Sequence, residues 1–306
     1  MSAPMPVSYP SSGPVTLKTN FADSALSAAL KAGKISSPIV HFDFCGPPVA
    51  SNGFKSMVRD GAFDAGELAI VTYLQAKTYG KPLTLLPATV VGRFQHNTMS
   101  YMDRGKPLTP KDLEGRRVAV RAYTQTTGAW ARGILQHEYG VDLSRITWIT
   151  TDDPHLAEFT DPSNVVRVDK REKPLDQRLI DGEADAGILG PEAPKHEKAR
   201  RLIPEHAEAA RAWHAKYGCT HINHMFVLNS DLARQRPDVV AEVYRMLAES
   251  KAAAGPPKGI DALPFGVANV SRSIEIISQY ANEQGIIPRR FAVSELFDDT
   301  TRRLEA

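Results

Sequence analysis

His96 and His224 are two of the nine histidines of the chain. Each adjoins a segment with strand character: Phe94-Gln95-His96 falls in the stretch Pro82–Tyr101, and His224 stands in Ile222–Leu228. Imidazole titrates near neutrality, so it gives and regains a proton readily. Glu67 follows Asp64-Ala65-Gly66 at a strand start. A carboxylate there orients a histidine, accepts a phenol proton or merely faces water, and the residues alone leave these open. Thr124-Gln125-Thr126-Thr127 lies between a strand end and a helix start. Backbone N–H groups and the helix dipole favour an anion at such a junction, and the hydroxyls add donors. Ordinary helix capping is the competing role. Arg93 offers a two-pronged contact to a carboxylate or is a solvated surface residue. His221 and His224 are three apart, so on a strand they point to opposite faces. That disfavours a shared metal. No cofactor is expected, and a divalent ion completed by His41, Asp43 or Glu67 is the lesser alternative.

The elements that must position these residues follow from composition and pattern. The chain has 306 residues, of which 42% are apolar and 24% charged. This suits two domains of ordinary size or one large one, and excludes wholesale disorder. Lys and Arg total 37 against 35 for Asp and Glu, a net charge of +2. Such a balance leaves no electrostatic footprint for nucleic acid or an acidic membrane. Two cysteines, Cys45 and Cys219, exclude a disulfide framework. Neither has a base beside it, and both read as small buried side chains. No basic start precedes an apolar run of signal-peptide length, and nothing approaches the roughly 20 apolar residues of a membrane span. The expectation is a soluble cytoplasmic protein whose partner is a small molecule, with homo-oligomerisation left open.

A pattern occurs twice. Val15–Phe21 alternates as a strand, Asp23 or Ser24 caps a helix carrying Leu26 and Leu30, Ile39–Phe44 is a second strand, and a helix over Phe54–Arg59 runs into Asp60-Gly-Ala-Phe-Asp-Ala-Gly66. Arg117–Tyr123 then begins a strand, a helix carries Trp130, Ile134 and Leu135, Ile146–Ile149 is a strand, and a helix with Leu175 and Leu179 runs into Asp181-Gly-Glu-Ala-Asp-Ala-Gly187. In each string the first glycine ends a helix in the left-handed region and the chain drops into a strand, at Leu68–Val71 or Ile188–Leu189. Two such strings predict two α/β lobes: residues 15–105 plus 222–306, and residues 106–221. Residues 1–14, with four prolines and four serines, read as a loose arm. Lys195–Arg201 reads as a solvated helix face, Pro237–Ala254 and Ser271–Glu283 as helices, and Arg289–Leu304 as a further one. The C-terminal helices are expected on the first lobe. Two chain crossings between lobes predict a ligand cleft there.

The order of elements resembles the type 2 periplasmic-binding-protein fold. More narrowly, Leu113–Tyr123 with Thr127–Val141, Phe63–Ala69, Phe94-Gln-His96, Asp185-Ala186, and His224 ahead of Asn229-Ser-Asp-Leu232 resemble the 4,5-dihydroxyphthalate decarboxylase family, which uses that fold as an enzyme. Gln95 stands where the family usually has an arginine, with Arg93 nearby. The loops Asn20–Ser24 and Phe42–Pro48 also depart from the family pattern. The resemblance implies cofactor-independent loss of CO2 from a hydroxylated aromatic acid. The ring carbon bearing the carboxylate is protonated, and CO2 leaves as aromaticity returns. It implies His224 as first choice for the acid, His96 as second, Glu67 as the orienting carboxylate, and Thr124–Thr127 with Arg93 as substrate ligands. A non-catalytic binding protein for a small carboxylate is the alternative, and another enzyme of the same fold, acting in menaquinone or thiamine precursor synthesis, is a third.

Overall fold

Val15, Leu17 and Thr19, alternating along the first strand, give it one buried face, and the computed structural model, which describes residues 7–305, builds a sheet around it. The chain divides into two units, Met1–Gly92 with Ile222–Glu275 and Arg289–Ala306, and Arg93–His221 with Ile276–Pro288. In chain order the first unit begins with β1 (Val15–Asn20), α1 (Ala25–Lys31), β2 (Val40–Asp43), α2 (Phe54–Asp60), β3 (Ala65–Ala69), α3 (Ile70–Thr78) and β4 (Leu83–Gly92). The second holds β5 (Met99–Met102), β6 (Arg117–Val120), α4 (Thr126–Tyr139), β7 (Thr147–Thr150), β8 (Val165–Arg167), α5 (Leu175–Asp181), β9 (Ala186–Ile188), β10 (Ala199–Arg201) and α6 (His206–Tyr217). The chain then supplies β11 (Ile222–Asn229), α7 (Ser230–Gln235), α8 (Pro237–Ala253), α9 (Val267–Glu283) and α10 (Val293–Leu296).

The first unit has a five-stranded sheet in the order β2-β1-β3-β11-β4. β1 is parallel to β2 and β3, whereas β11 is antiparallel to both β3 and β4. Ser24 caps α1 reciprocally with Ser27, leaving Leu26 and Leu30 to face the core. On α8, Val239, Val243, Met246 and Leu247 join the same core. Each such side chain contributes about 1.5–3 kcal/mol on burial. The second unit has a six-stranded sheet in the order β10-β5-β9-β6-β7-β8. The two Asp-Gly-x-x-Asp-Ala-Gly strings lead into β3 and β9, one in each sheet. Gly61 and Gly182 end α2 and α5 at φ 63° and 81°, the left-handed conformation those strings require.

Several boundaries differ from the sequence pattern. The sequence pattern places residues 93–105 in the first lobe, but β5 pairs antiparallel with β9 and β10 in the second sheet. Residues 276–288 also belong to the second unit, because Tyr280 packs edge-on against Trp130 and Gln284 bonds to Arg132. Of the arm at 1–14, residues 1–6 lie outside the described residues. Residues 7–13 are not loose. Val7 N–H donates to Asp231 (2.9 Å), the Tyr9 hydroxyl to Asp64 (2.6 Å), and Arg236 to the carbonyls of Pro10 and Gly13. The basic run at 195–201 ends in the edge strand β10, where arginines discourage further strand pairing. Ile70–Ala76 is a helix buried all round, so it shows no 3.6-residue pattern and its start reads as strand. Helix over 289–304 is confined to Val293–Leu296 and one 3-10 turn, since Asp298 accepts from the N–H groups of Thr300 and Thr301 and turns the chain. Cys45 is exposed and Cys219 buried.

Gly133 makes the approach of Tyr280 to α4 possible. A Cβ there would stand 2.0 Å from the Tyr280 ring. Gly133→Ala is therefore expected to destabilise the fold by about 1–3 kcal/mol from overpacking, against a helix-propensity gain of about 1 kcal/mol. A chemical-denaturation midpoint equal to or above that of the parent would refute this packing.

Candidate functional site

In the first unit, β3 and β11 bring Glu67 and His224 together. The antiparallel register sets Phe226 opposite Glu67 and His224 opposite Ala69. Residues two apart on a strand share a face, so His224 and Glu67 are diagonal neighbours on one side of the sheet. His224 Nδ1 lies 3.8 Å from Glu67 Oε2, just beyond direct hydrogen-bond reach. Among the described residues that nitrogen has no hydrogen-bond partner. Glu67 is buried, 3% exposed, and the His224 side chain keeps 21%. On the other side of β11 the pairing with β4 shifts register both before and after His224. Such irregularities re-aim a side chain, and they recur beside functional sites. Phe54, at the start of α2, meets the imidazole edge-on at 5.1 Å between ring centroids. A buried carboxylate facing only an imidazole is costly in an apolar sheet. The arrangement places a carboxylate beside an imidazole, two residue types that serve in proton transfer.

In the second unit His96 lies with His221. The His221 ring is stacked with Trp130 at 4.3 Å and with His96 at 5.6 Å, and it meets Trp213 and Phe94 edge-on. His221 Nδ1 accepts from the Gln95 N–H at 3.1 Å, and the His221 carbonyl accepts from the Arg93 N–H at 3.1 Å. The segment carrying Arg93 and His96 is thus laced to the residue before β11. Burial pushes the His96 pKa down to about 4, with Glu138 opposing and His206 reinforcing, and burial holds His221 well below the usual range with His96 adding to it. Both rings are neutral at pH 7. The Arg93 side chain is exposed.

Thr124–Thr127 occupies the entry to α4. Gln125 is the N-cap residue, in extended conformation, and its side chain makes no capping hydrogen bond. Its Oε1 is buried without a partner. Thr124, Thr126 and Thr127 are all buried. The first-turn N–H groups of a helix have no partner within the helix, and capping by the Gln125 side chain does not occur here. Among the described residues no group of three or more His, Cys, Asp or Glu side chains is arranged to hold a metal ion. His41 and Asp43 are exposed on β2. No helix among those residues is long and apolar enough to cross a membrane.

Sequence reasoning missed Phe54, the pairing of His96 with His221, and Arg132. The last left a signal: it is the one charged residue among the first ten of α4, and all ten are buried.

No family model matches the chain. It is 30% identical over 214 residues to a 4,5-dihydroxyphthalate decarboxylase of Comamonas testosteroni, an alignment covering 66% of this chain and 64% of that protein. A 4,5-dihydroxyphthalate decarboxylase of Pseudomonas putida is 27% identical over 174 residues, covering 53% and 67%. The chain is therefore similar to these enzymes, and it spans just under two thirds of the length of the first. Among solved structures, the alkanesulfonate-binding protein SsuA from Xanthomonas axonopodis pv. citri superposes with a TM-score of 0.56 at 14% identity, covering 94% of this chain and 99% of that one. The periplasmic aliphatic sulphonate binding protein SsuA from Escherichia coli gives 0.57 at 12% identity (93% and 97%), and the desulfurization enzyme DSZB gives 0.54 at 15% (93% and 97%). At these identities the likeness shows the fold: the chain has the periplasmic-binding-protein fold.

The buried histidine pair sets a pH dependence. Unfolded, a histidine titrates near 6.5, whereas folded His96 titrates at about 4. Above pH 6.5 neither state holds the proton and stability is unaffected. Between 6.5 and 4 only the unfolded chain binds it, so stability falls as pH falls, by about 1.4 kcal/mol per pH unit and about 3 kcal/mol in all for His96. His221 acts with the same sign. The denaturation midpoint is expected to drop from pH 7 to pH 5, and His96→Phe to flatten that slope. A midpoint flat over this range would refute the buried neutral pair.

Proposed function

We propose that the chain is a cofactor-independent decarboxylase of a hydroxylated aromatic carboxylic acid of the 4,5-dihydroxyphthalate type. The observation that carries this reading is the Glu67–His224 pair, a buried carboxylate facing an unpartnered imidazole nitrogen, in a chain similar to two decarboxylases. A protein that only binds an anion needs donors to that anion. It has no use for a proton-passing pair in the middle of an apolar sheet.

The chemistry needs an acid and an electron sink. A phenol ortho or para to the carboxylate is the sink. With the phenol proton given up to solvent, His224 gives a proton to the ring carbon that bears the carboxylate, a dienone forms, and the C–C bond to the carboxylate breaks. CO2 leaves, the bonding pair restores the aromatic ring as a phenolate, and solvent returns a proton to the phenolate oxygen and to His224. Glu67 is the orienting carboxylate on the same face of the sheet. The entry of α4 takes a carboxylate through backbone N–H groups and the hydroxyls of Thr124, Thr126 and Thr127, and Arg93 adds a cation. His96 is the weaker candidate for the acid. With a pKa near 4 it carries no proton to give at neutral pH beyond the one on its neutral ring.

A binding protein for a small carboxylate is the second reading, since the solved SsuA proteins of this fold are binders by name. Incubation with a panel of hydroxylated benzoic and phthalic acids, with CO2 monitored, separates the two. Evolution of CO2 at an enzymatic rate is expected, and tight binding without turnover would favour the binder. His224→Asn keeps approximate size and hydrogen bonding but removes the titrating proton. Turnover is expected to fall by about 100-fold or more with binding retained, and near-normal turnover would take the proton away from His224. Thr126→Val with Thr127→Val is expected to weaken ligand binding about tenfold in calorimetry, at the scale of two lost hydrogen bonds. Unchanged affinity in a folded variant would remove the α4 entry from the site.

A further inference from the structure

Arg132 is wholly buried, and among the described residues no acid is bonded to it. Its hydrogen-bond partners in the second unit are neutral. Nε donates to Gln284 Oε1 at 2.8 Å and Nη2 to the Tyr123 carbonyl at 2.5 Å. The guanidinium lies over the Tyr123 ring at 4.1 Å and near the Trp148 ring at 5.2 Å. Two neutral acceptors and two aromatic faces hold the cation, but they do not cancel its charge. Among the described residues it makes no ion pair. Asp161 acts on it only through space, and Asp161 Oδ2 is itself bonded to Arg167. Burial draws the Arg132 pKa down to about 10, which leaves the group protonated at neutral pH.

The third nitrogen, Nη1, is buried with no hydrogen-bond partner. It stands behind the first turn of α4: a Cβ on Gly128 would lie 3.1 Å from it. That turn begins at Thr126, and no side chain of its N-cap residue covers it. A buried cation without a counter-charge is destabilising by itself. It becomes favourable when an anion arrives nearby in a medium less polarisable than water.

We propose that Arg132 is a positioning residue for a carboxylate at the entry of α4, its unneutralised charge being the fixed counter-ion that the ligand's anion completes. This deepens the proposed function and rests on its assignment of the α4 entry as the carboxylate subsite. Arg132 acts through the first turn and the field along it, and need not touch the ligand. The helix dipole amounts to about half a charge at an N-terminus, and Arg132 adds a whole one behind it. The ligand group is thereby defined as one that is fully ionised at neutral pH, a carboxylate rather than a phenol.

Two measurements on the full chain test this. The first needs no ligand. Gln125→Glu introduces a carboxyl at the N-cap, and its titration is followed by NMR with and without Arg132→Met/Gln284→Met. That double change removes both partners of a buried bond, so no new orphan is left on either side chain. The introduced carboxyl is expected to titrate about one pH unit higher once Arg132 is gone, and about where it did before when Arg132→Lys keeps the charge. An unchanged titration in the folded double variant overturns the proposal. The second measurement is calorimetric binding of phthalate as a probe dianion. Arg132→Met/Gln284→Met is expected to bind it about tenfold more weakly or worse, and Arg132→Lys within a fewfold of the parent. Equal loss in both variants would make the role structural and overturn the proposal. If the parent fails to bind phthalate while the titration shift is present, the field of Arg132 stands and the substrate class under the proposed function falls.

Discussion

β11 lies between β3 and β4 and runs antiparallel to both, so its eight residues satisfy their backbone groups on two sides. Met225, Phe226, Val227 and Leu228 are completely buried there. A strand so enclosed cannot slip, because a one-residue shift would turn every side chain to the wrong face. This fixed register is what holds His224 on the same face as Glu67. At 3.8 Å the two side chains of this pair are not hydrogen-bonded to each other. Its geometry is inherited from the sheet, with Phe54 closing one edge of the imidazole. The pairing with β4 shifts register three times between Ile222 and Val227, and two of those shifts flank His224.

The second unit handles polarity differently. α4 buries its first ten residues, and Trp130, Ile134 and Leu135 give the helix its apolar bulk. Into that interior the fold admits His221, His96 and Arg132. Stacking on Trp130 and a backbone hydrogen bond from Gln95 compensate His221 as a neutral ring. Arg132 cannot be neutralised in the same way, since a guanidinium keeps its proton even where burial opposes it. Its neighbours Tyr123 and Gln284 supply acceptors and a π face, and so steady its position without removing its charge. Gly133, one residue further along α4, lets Tyr280 lie close enough for the segment carrying Gln284 to reach it.

Much of the architecture is readable from pattern because local and global preferences agree. The repeated Asp-Gly-x-x-Asp-Ala-Gly strings mark the two helix-to-strand turns, since only a left-handed glycine joins them so tightly. Ser24 as a cap, the amphipathic α8 and the strand at 222–229 follow from spacing alone. Reading fails where an element is buried on all sides, as in Ile70–Ala76, or is an edge strand that pairs through backbone rather than side chains, as in Ala199–Arg201. The site was partly legible. Residue type singles out His224, Glu67 and the Thr124–Thr127 junction, but which side of a strand a ring takes depends on register. The partnership of His96 with His221 joins residues 125 positions apart, and nothing local announces it. Arg132 did announce itself, as a lone charge in an apolar run, although its lack of a counter-ion is a property of the packed interior only.

The contrast between the histidines shows why residue type alone does not assign a proton donor. All three are substantially enclosed by aromatic or strand neighbours. His96 and His221 sit against other rings, and burial disfavours their charged forms by more than Glu138 restores at His96. His224 keeps about a fifth of its side-chain surface and faces Glu67. The two groups share one side of the sheet because β3 and β11 hold their register, so position in the fold, not residue type, sets His224 apart from the two ring-packed histidines.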